Sequence, residues 1–327
     1  MDEIGIVVIA RNEGARLQAC IRSLLPLTKK IVYVDSGSTD GSQVWVTAQG
    51  IAIVELDLQL PFTAARARNA GWEHLLNLYP EISYVQFVDG DCEVQANWLL
   101  DAKSILVNHP KVGAVCGRRR ERYPDRTIYN ALCDIEWNTP IGETKAAGGD
   151  VMMRASVLQA VSGYNPTVIA AEDDEICLRI RRTGQQIWRI DSEMTIHDAA
   201  MYRFHQWFKR AVRAGYAYAL GNWLHGSGPE KQFRKEIRRI WRTAFLLPLL
   251  ASALAWPTWG ISLIFLLYYP LQVVRIAQRT RKRGYSIKIS LAWGISCILD
   301  KLPQLIGVLK FHRNRLFSRQ ATIIEYK

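Results

Sequence analysis

The sequence has no Cys-x-x-Cys pair. Its six cysteines stand apart at positions 20, 92, 116, 133, 177 and 297, which argues against a zinc ribbon and a disulfide scaffold. They read as small core residues of a reducing compartment. There is no internal repeat and no low-complexity tract. With 49% hydrophobic and 22% charged residues among 327, global disorder is excluded too. Acidic residues nearly vanish from the C-terminal part. Residues 231–327 hold 18 Lys and Arg but 3 Asp and Glu, whereas residues 1–230 hold 24 and 27. A near-neutral body with a basic tail implies an anionic partner for the tail alone.

Charge of either sign is missing from residues 243–274, a run of 32. Ordinary soluble domains need no such run, whereas a membrane segment does. It is flanked by Arg238, Arg239 and Arg242 before, and by Arg275, Arg279, Arg281, Lys282 and Arg283 after. If both flanks are cytoplasmic, the run is a hairpin or re-entrant pair, not a single span. Each arm would hold about 16 residues, roughly 24 Å, against a hydrocarbon core of ~30 Å. Pro257, between Trp256 and Trp259, marks the expected turn. A buried core hairpin is the alternative. Residues 287–309 suit an interfacial helix better than a span. The tail's expected partner is therefore anionic membrane lipid, and no nucleic acid is expected. The first residues open with two acids and a short apolar run, unlike a signal peptide. The expected location is the cell inner membrane, with the body in the cytoplasm.

Four early segments, 4–10, 30–35, 51–56 and 84–89, are rich in Val and Ile and read as buried parallel strands. Three are followed by helical patterns at 13–25, 42–49 and 64–78, the last with Thr63 as its cap. This alternation predicts an α/β fold with a doubly wound, Rossmann-like, mostly parallel sheet. Ligands bind such sheets at the carboxyl ends of the strands. That rule points to Ala10 and Arg11, to Asp35, and to Asp89-Gly90-Asp91.

The Asp89/Asp91 pair gains its meaning from position, since spacing alone carries little. A strand end puts both carboxylates in the crevice, where hard oxygen ligands suit Mg²⁺ or Mn²⁺ bridging to a diphosphate. A solvated Asp-Gly turn is the bland alternative. Asp35 begins a Ser/Gly/Thr-rich loop that lets a ligand approach the backbone closely, and its carboxylate can accept from a base or a ribose. Arg66 and Arg68, near a helix N-terminus, can bind phosphate or can face solvent. Glu172-Asp173-Asp174-Glu175 opens a helix, which the dipole favours without any function. Four adjacent acids also repel, so one can have a raised pKa and act as a base. His197 reads first as an ordinary histidine, and the basic run Arg118–Arg122 as a solvated face.

In order along the chain, these pieces resemble a family 2 glycosyltransferase of the GT-A fold, over residues 3–215. The carriers are Ile6–Glu13, Val34–Gly41, Ala65–Gly71, Val88–Asp91, Ala147–Arg154 and Ala171–Arg179. The resemblance implies a catalytic domain at 1–215. The remainder, 216–327, would be a basic helical region holding the membrane hairpin and the interfacial helix. It implies a nucleotide-sugar site at Ala10, Arg11, Glu13, Asp35, Arg66, Arg68 and Asp89, and a metal on Asp91 with His197 as a further candidate ligand. It places Gly148, Gly149, Asp150 and Glu172 on the acceptor side. The implied base is Asp173, with Asp174 as the alternative because the doubled Asp leaves the register open. Ala171 stands where the family pattern has Gly, and Gln206-Trp-Phe-Lys-Arg210 matches the processive synthases only in part. The implied activity is inverting, metal-dependent transfer of a sugar to a lipid-linked saccharide or glycolipid. Two rivals share the sheet and the acids: a nucleotidyltransferase-like enzyme, and a non-catalytic nucleotide-sugar sensor or scaffold at the membrane.

Overall fold

Strand β1 (Ile4–Ala10) lies at the heart of the sheet, flanked on both sides by parallel neighbours. In chain order the others are β2 (Ile31–Asp35), β3 (Ala52–Glu55), β4 (Tyr84–Asp89), β5 (Cys92–Val94), β6 (Val112–Glu121), β7 (Gly142–Thr144), β8 (Val151–Arg154) and β9 (Gln186–His197). The sheet order is β3-β2-β1-β4-β8-β6-β9-β5, with β7 on β9. This is a computed structural model, and it describes residues 2–317.

The first four strands are parallel to one another. The residues of β1, β2 and β4 are almost wholly buried because helices cover a parallel sheet, which is why they read as unbroken apolar runs, whereas β3 at the sheet edge is half-buried to exposed. Beyond β4 the sheet becomes mixed: β8 runs antiparallel to β4 and β6, while β6 and β9 are parallel. Helix Ala64–Leu78 is capped by Thr63, whose hydroxyl accepts from the Arg66 amide at 3.1 Å. It can lie close on the sheet because residue 71 is Gly; a Cβ there would strike Val7 and stand 2.9 Å from Val34 Cγ2. Register then aligns the strand ends. Ala10 pairs with Asp35, and Ile9 with Asp89. The strand order reverses between β1 and β4, so a ligand crevice opens at their carboxyl ends.

The chain divides into two compact units. One runs from the N-terminus to Arg122 and adds Glu136–Ala199; the other joins Tyr123–Ile135 to the chain from Ala200 onward. The second is helical: Phe204–His225, Arg234–Trp241, a π-helical turn Arg242–Leu246, Leu247–Ala253, a 3-10 stretch Ile261–Leu267, Tyr268–Arg281, Ile287–Leu299 and Lys301–Leu316. Helix Phe204–His225 ends before Gly226, and the next helix starts only at Arg234. Helices Phe204–His225 and Lys301–Leu316 cross at glycine. A Cβ on Gly215 would strike the Gln304 carbonyl, and one on Gly307 would stand 2.7 Å from the Tyr216 amide. The charge-free run folds into two arms joined through Leu254–Gly260, with Pro257 in the turn. Among the described residues, Ile261–Arg281 and Ile287–Leu316 are long and apolar enough to cross a membrane. Along the latter, Ile287, Leu291, Ile295, Leu299, Leu302 and Ile306 are exposed, while Ser290, Gly294, Gln304 and Val308 are buried.

Candidate active site

Two loops at the crevice are stitched together by backbone and side chain. Asn12 sits in the left-handed region at φ 55°, which Asn tolerates better than most residues. Its amide donates to Ser38 Oγ at 3.0 Å, and its Oδ1 accepts from the Thr39 amide at 2.7 Å. The Gly14 amide donates to Asp40 Oδ2 at 2.9 Å. Arg11 is exposed on this loop, and Glu13 pairs with Arg16 at 2.6 Å. Ala10 lies just beneath, at the end of β1.

Asp35 is fully buried and organises the second loop. Its Oδ2 accepts from the Gly37 and Ser38 amides and from Gln43 Nε2 at 2.8–2.9 Å; its Oδ1 accepts from the Tyr33 hydroxyl at 2.7 Å. Burial raises its pKa, but the hydrogen bonds from Ser38, Tyr33 and Gln43 outweigh that and hold it below the usual carboxylate range. Four donors occupy a carboxylate that accepts about four. Contact with a base therefore requires one of them to yield.

The two arginines of helix Ala64–Leu78 part ways. Arg66 turns to the loop before the helix and donates to the carbonyls of Asp57, Leu60 and Pro61. It stays outside the acidic cluster around Asp89. Arg68 turns inward and is buried. Its Nη2 lies 2.9 Å from Asp89 Oδ1, and its Nη1 lies 2.8 Å from Glu172 Oε1 and 3.1 Å from Asp173 Oδ1. The Tyr164 ring lies beneath its guanidinium, 5.4 Å from the ring centroid.

Asp89 is held from the other side by Arg119, whose Nη2 lies 3.4 Å from Asp89 Oδ2 and 2.8 Å from Asp150 Oδ2. Asp150 is completely buried. It accepts from the Asp89 amide at 3.0 Å and from Thr195 Oγ1 at 2.7 Å. Burial raises the pKa of Asp89, but Arg68 and Arg119 prevail and hold it low. Arg119 lay in the run that the sequence assigned to solvent, and the structure corrects that reading. Alternation along a strand would have set Arg119 apart from its neighbours, but β6 shifts register between Cys116 and Arg119. Arg118 is buried too, while Arg120 is exposed and pairs with Glu193.

Gly148 and Gly149 lie in the loop before β8 rather than on the strand. A Cβ on Gly149 would overlap the Arg68 guanidinium and stand 2.8 Å from Asp89 Oδ2. Glycine lets this backbone close over the ion pair.

Helix Glu172–Arg182 begins after Ala171, which is left-handed at φ 57°. Glycine would take that conformation without strain, so Ala171 carries a backbone cost here that the pattern's Gly would not. Glu172 and Asp173 meet Arg68, whereas Glu175 is clamped by Arg179 at 2.7 Å. Asp174 follows Asp173 on the same first turn and is partly exposed. Burial pushes the Asp173 carboxyl up to about 8, with Glu172, Asp89 and Asp174 adding to the rise and Arg68 opposing it. Its Oδ1 is shielded and touches Arg68 without hydrogen-bond geometry.

At the end of β9, His197 Nε2 lies 3.0 Å from Asp91 Oδ2. Asp91, His197 and Cys92 bring ligand atoms within 4.8 Å of one another. His197 Nδ1 is buried with no hydrogen-bond partner. Burial pushes the Cys92 thiol well up, so it stays protonated. The Asp91 carboxylate at a strand end suits Mn²⁺ or Mg²⁺, and the His197 imidazole beside it suits Mn²⁺ better than Mg²⁺.

The model of the family described as "Glycosyl transferase family 2" matches residues 5–161. The succinoglycan biosynthesis protein ExoA of Rhizobium meliloti is 24% identical over 207 residues, which cover 59% of this chain and 62% of that protein. The chain thus matches less than two thirds of ExoA's length. The O-antigen chain rhamnosyltransferase WbaN of Salmonella anatum is 24% identical over 240 residues, covering 67% of this chain and 74% of that protein. Among solved structures, the mannosyltransferase PcManGT of Pyrobaculum calidifontis, in complex with GDP-Man and Mn²⁺, superposes with a TM-score of 0.62. It is 19% identical, and the match covers 94% of this chain and 87% of that one. At that identity the likeness concerns the fold, which is GT-A.

Proposed function

We propose which transfer this chain performs, on the premise that its residues 5–161 are a family 2 glycosyltransferase domain. It moves a sugar from a nucleotide-sugar donor to a hydroxyl of a lipid-linked saccharide or glycolipid, with inversion, at the cytoplasmic face of the membrane. The observation that carries this reading is the Asp173 carboxyl, raised to about 8 and set against Arg68 beside Asp89.

Asp173 takes the proton of the acceptor hydroxyl. The freed oxygen forms its bond to the anomeric carbon on one face, while the bond to the nucleoside diphosphate breaks on the other. The leaving group departs with the electron pair. Arg68 lies between base and leaving-group side and can answer the charge that develops on the diphosphate. A bound Mg²⁺ or Mn²⁺, held by Asp91 with His197, would neutralise diphosphate charge. Arg119 and Asp150 hold Asp89 in place, and Gly149 shields the pair from above. The two curated relatives serve succinoglycan biosynthesis and the O-antigen chain, which supports a saccharide acceptor built by bacteria. The apolar, basic second unit supports an acceptor met at a lipid surface.

The test compares wild type with Asp173→Asn in donor binding and in transfer to extracted lipids. Asp173→Asn retains donor affinity and loses transfer by about 10²- to 10⁴-fold. Unchanged transfer by the variant contradicts the assignment of the base. Release of inorganic diphosphate from a nucleoside triphosphate would mark a nucleotidyltransferase instead.

A further inference from the structure

In the turn joining the two apolar arms, most amides find an acceptor within the turn or the arm before it. The amides of Leu254 and Ala255 donate to Leu250 and Ser252 carbonyls at 3.1 and 3.2 Å. Those of Thr258, Trp259, Gly260 and Ile261 donate to carbonyls within the same turn at 2.7–3.3 Å. The Ser262 amide donates to Thr258 Oγ1 at 3.1 Å, and the Ser262 hydroxyl donates to the Ala251 carbonyl at 2.8 Å. Pro257 has no amide to satisfy. The side chains behave in the opposite way: Trp256 is 93% exposed and Trp259 96%. Turns in water pair their amides as well, but they do not turn their two largest apolar rings outward side by side. In hydrocarbon, every backbone polar group must be satisfied internally.

We propose that residues 243–274 form a re-entrant hairpin that sinks this turn into the hydrocarbon of one leaflet of an anionic bilayer without reaching the far side. Length agrees. The first arm is helical from Thr243 to about Leu254, a rise of roughly 18 Å against a core of ~30 Å. The arms are tied side by side, with Tyr269 donating to the Thr243 carbonyl at 2.7 Å and Arg242 reaching the Tyr268 hydroxyl at 3.3 Å. Those ties bring Arg238, Arg239 and Arg242 to the same end as Arg275 and Arg279. Five cations at the open end match anionic headgroups, each close one adding ~1 kcal/mol. The uncharged closed end matches acyl chains.

This deepens the membrane half of the proposed function, and its test involves no sugar transfer, so either can fail alone. The full chain is made with Cys297→Ser, the other cysteines being buried. A fluorescent nitrobenzoxadiazole probe is attached at Trp256→Cys, at Trp259→Cys as a second tip position, or at Lys282→Cys near the open end. Each protein is required to unfold at the wild-type temperature, and is added to preformed vesicles of phosphatidylethanolamine and phosphatidylglycerol. Dithionite, which does not cross bilayers, is supplied outside or sealed in the lumen. At both tip positions the probe resists dithionite from either side, and a nitroxide deep on the acyl chain quenches it more than a shallow one; the probe at 282 bleaches from outside. Bleaching of the tip probes from the lumen would mean a crossing hairpin. Bleaching from outside as fast as at 282 would mean a tip in water. Either result overturns the proposal.

Discussion

The first carbon of any side chain at position 149 would fall on the guanidinium of Arg68, so Gly149 and Arg68 form one packing unit. Arg68 cannot simply retreat, because Asp89, Glu172 and Asp173 hold it by ion pairs of 2.8–3.1 Å. Gly149→Ala therefore displaces the arginine from Asp89. Transfer is expected to fall at least tenfold with the fold retained, read from initial rates beside a thermal melt. A variant with wild-type rate would show that the loop moves aside freely.

Asp173 sets a pH dependence. Its active form as a base is the carboxylate, and its pKa stands at about 8. The transfer rate should climb as pH rises through about 8. Arg68 lowers that value, so Arg68→Gln should move the rising limb to higher pH, besides reducing the rate. Stability follows the opposite sign. A carboxyl whose folded pKa exceeds its unfolded value of about 3.9 favours the fold below that value, and the contribution is lost as pH rises through about 8. Asp173→Asn should therefore melt at a higher temperature than wild type above pH 8, as differential scanning calorimetry at pH 6 and 9 would show.

Arg119 is the counter-charge of a fully buried Asp150. Arg119→Met strands Asp150 and removes one of the two cations on Asp89, at an expected loss of about 3–5 kcal/mol in unfolding free energy. Urea unfolding measures it. Arg119→Lys should recover part of the loss, since a compact ammonium keeps the charge but not the forked reach to both carboxylates. Equal stability of Arg119→Met and wild type would remove Arg119 from the account.

Asp91 and His197 should hold the divalent ion. In Asp91→Asn and His197→Gln proteins, Mn²⁺ affinity measured by paramagnetic resonance is expected to fall about 10-fold or more, in the presence of nucleoside diphosphate. Wild-type affinity in both variants would place the ion elsewhere.

The parallel half of the fold was legible because strands of Val and Ile that end at or just before a polar residue, as at Ala10-Arg11, Asp35 and Asp89, leave little choice of class. The Thr63 cap and the turn at Pro257 were legible for the same local reason: one residue type solves one geometric problem. What lay across the sheet was hidden. Nothing in the Arg118–Arg122 run marks Arg119 as the residue that reaches Asp89 and Asp150, because the register shifts of β6 erase the alternation that would reveal it. Arg66 and Arg68 look alike in sequence, two residues apart on one helix. Only the packing shows that Arg66 serves the 57–61 loop while Arg68 serves the acids. The saturation of Asp35 by Tyr33, Gln43 and its own loop was equally out of view, since it depends on how that loop closes.

The most direct test of the account is a donor panel. Detergent-purified wild type, Asp91→Ala and Asp173→Asn are incubated with Mn²⁺, extracted bacterial lipids and UDP-, GDP- or TDP-sugars. Nucleoside diphosphate release is followed, and the anomeric configuration of the lipid product is read by nuclear magnetic resonance. The account predicts release from one donor class, an inverted glycosidic bond, and loss of transfer in both variants. A product that retains the donor's configuration, or transfer undiminished in Asp173→Asn, would contradict it.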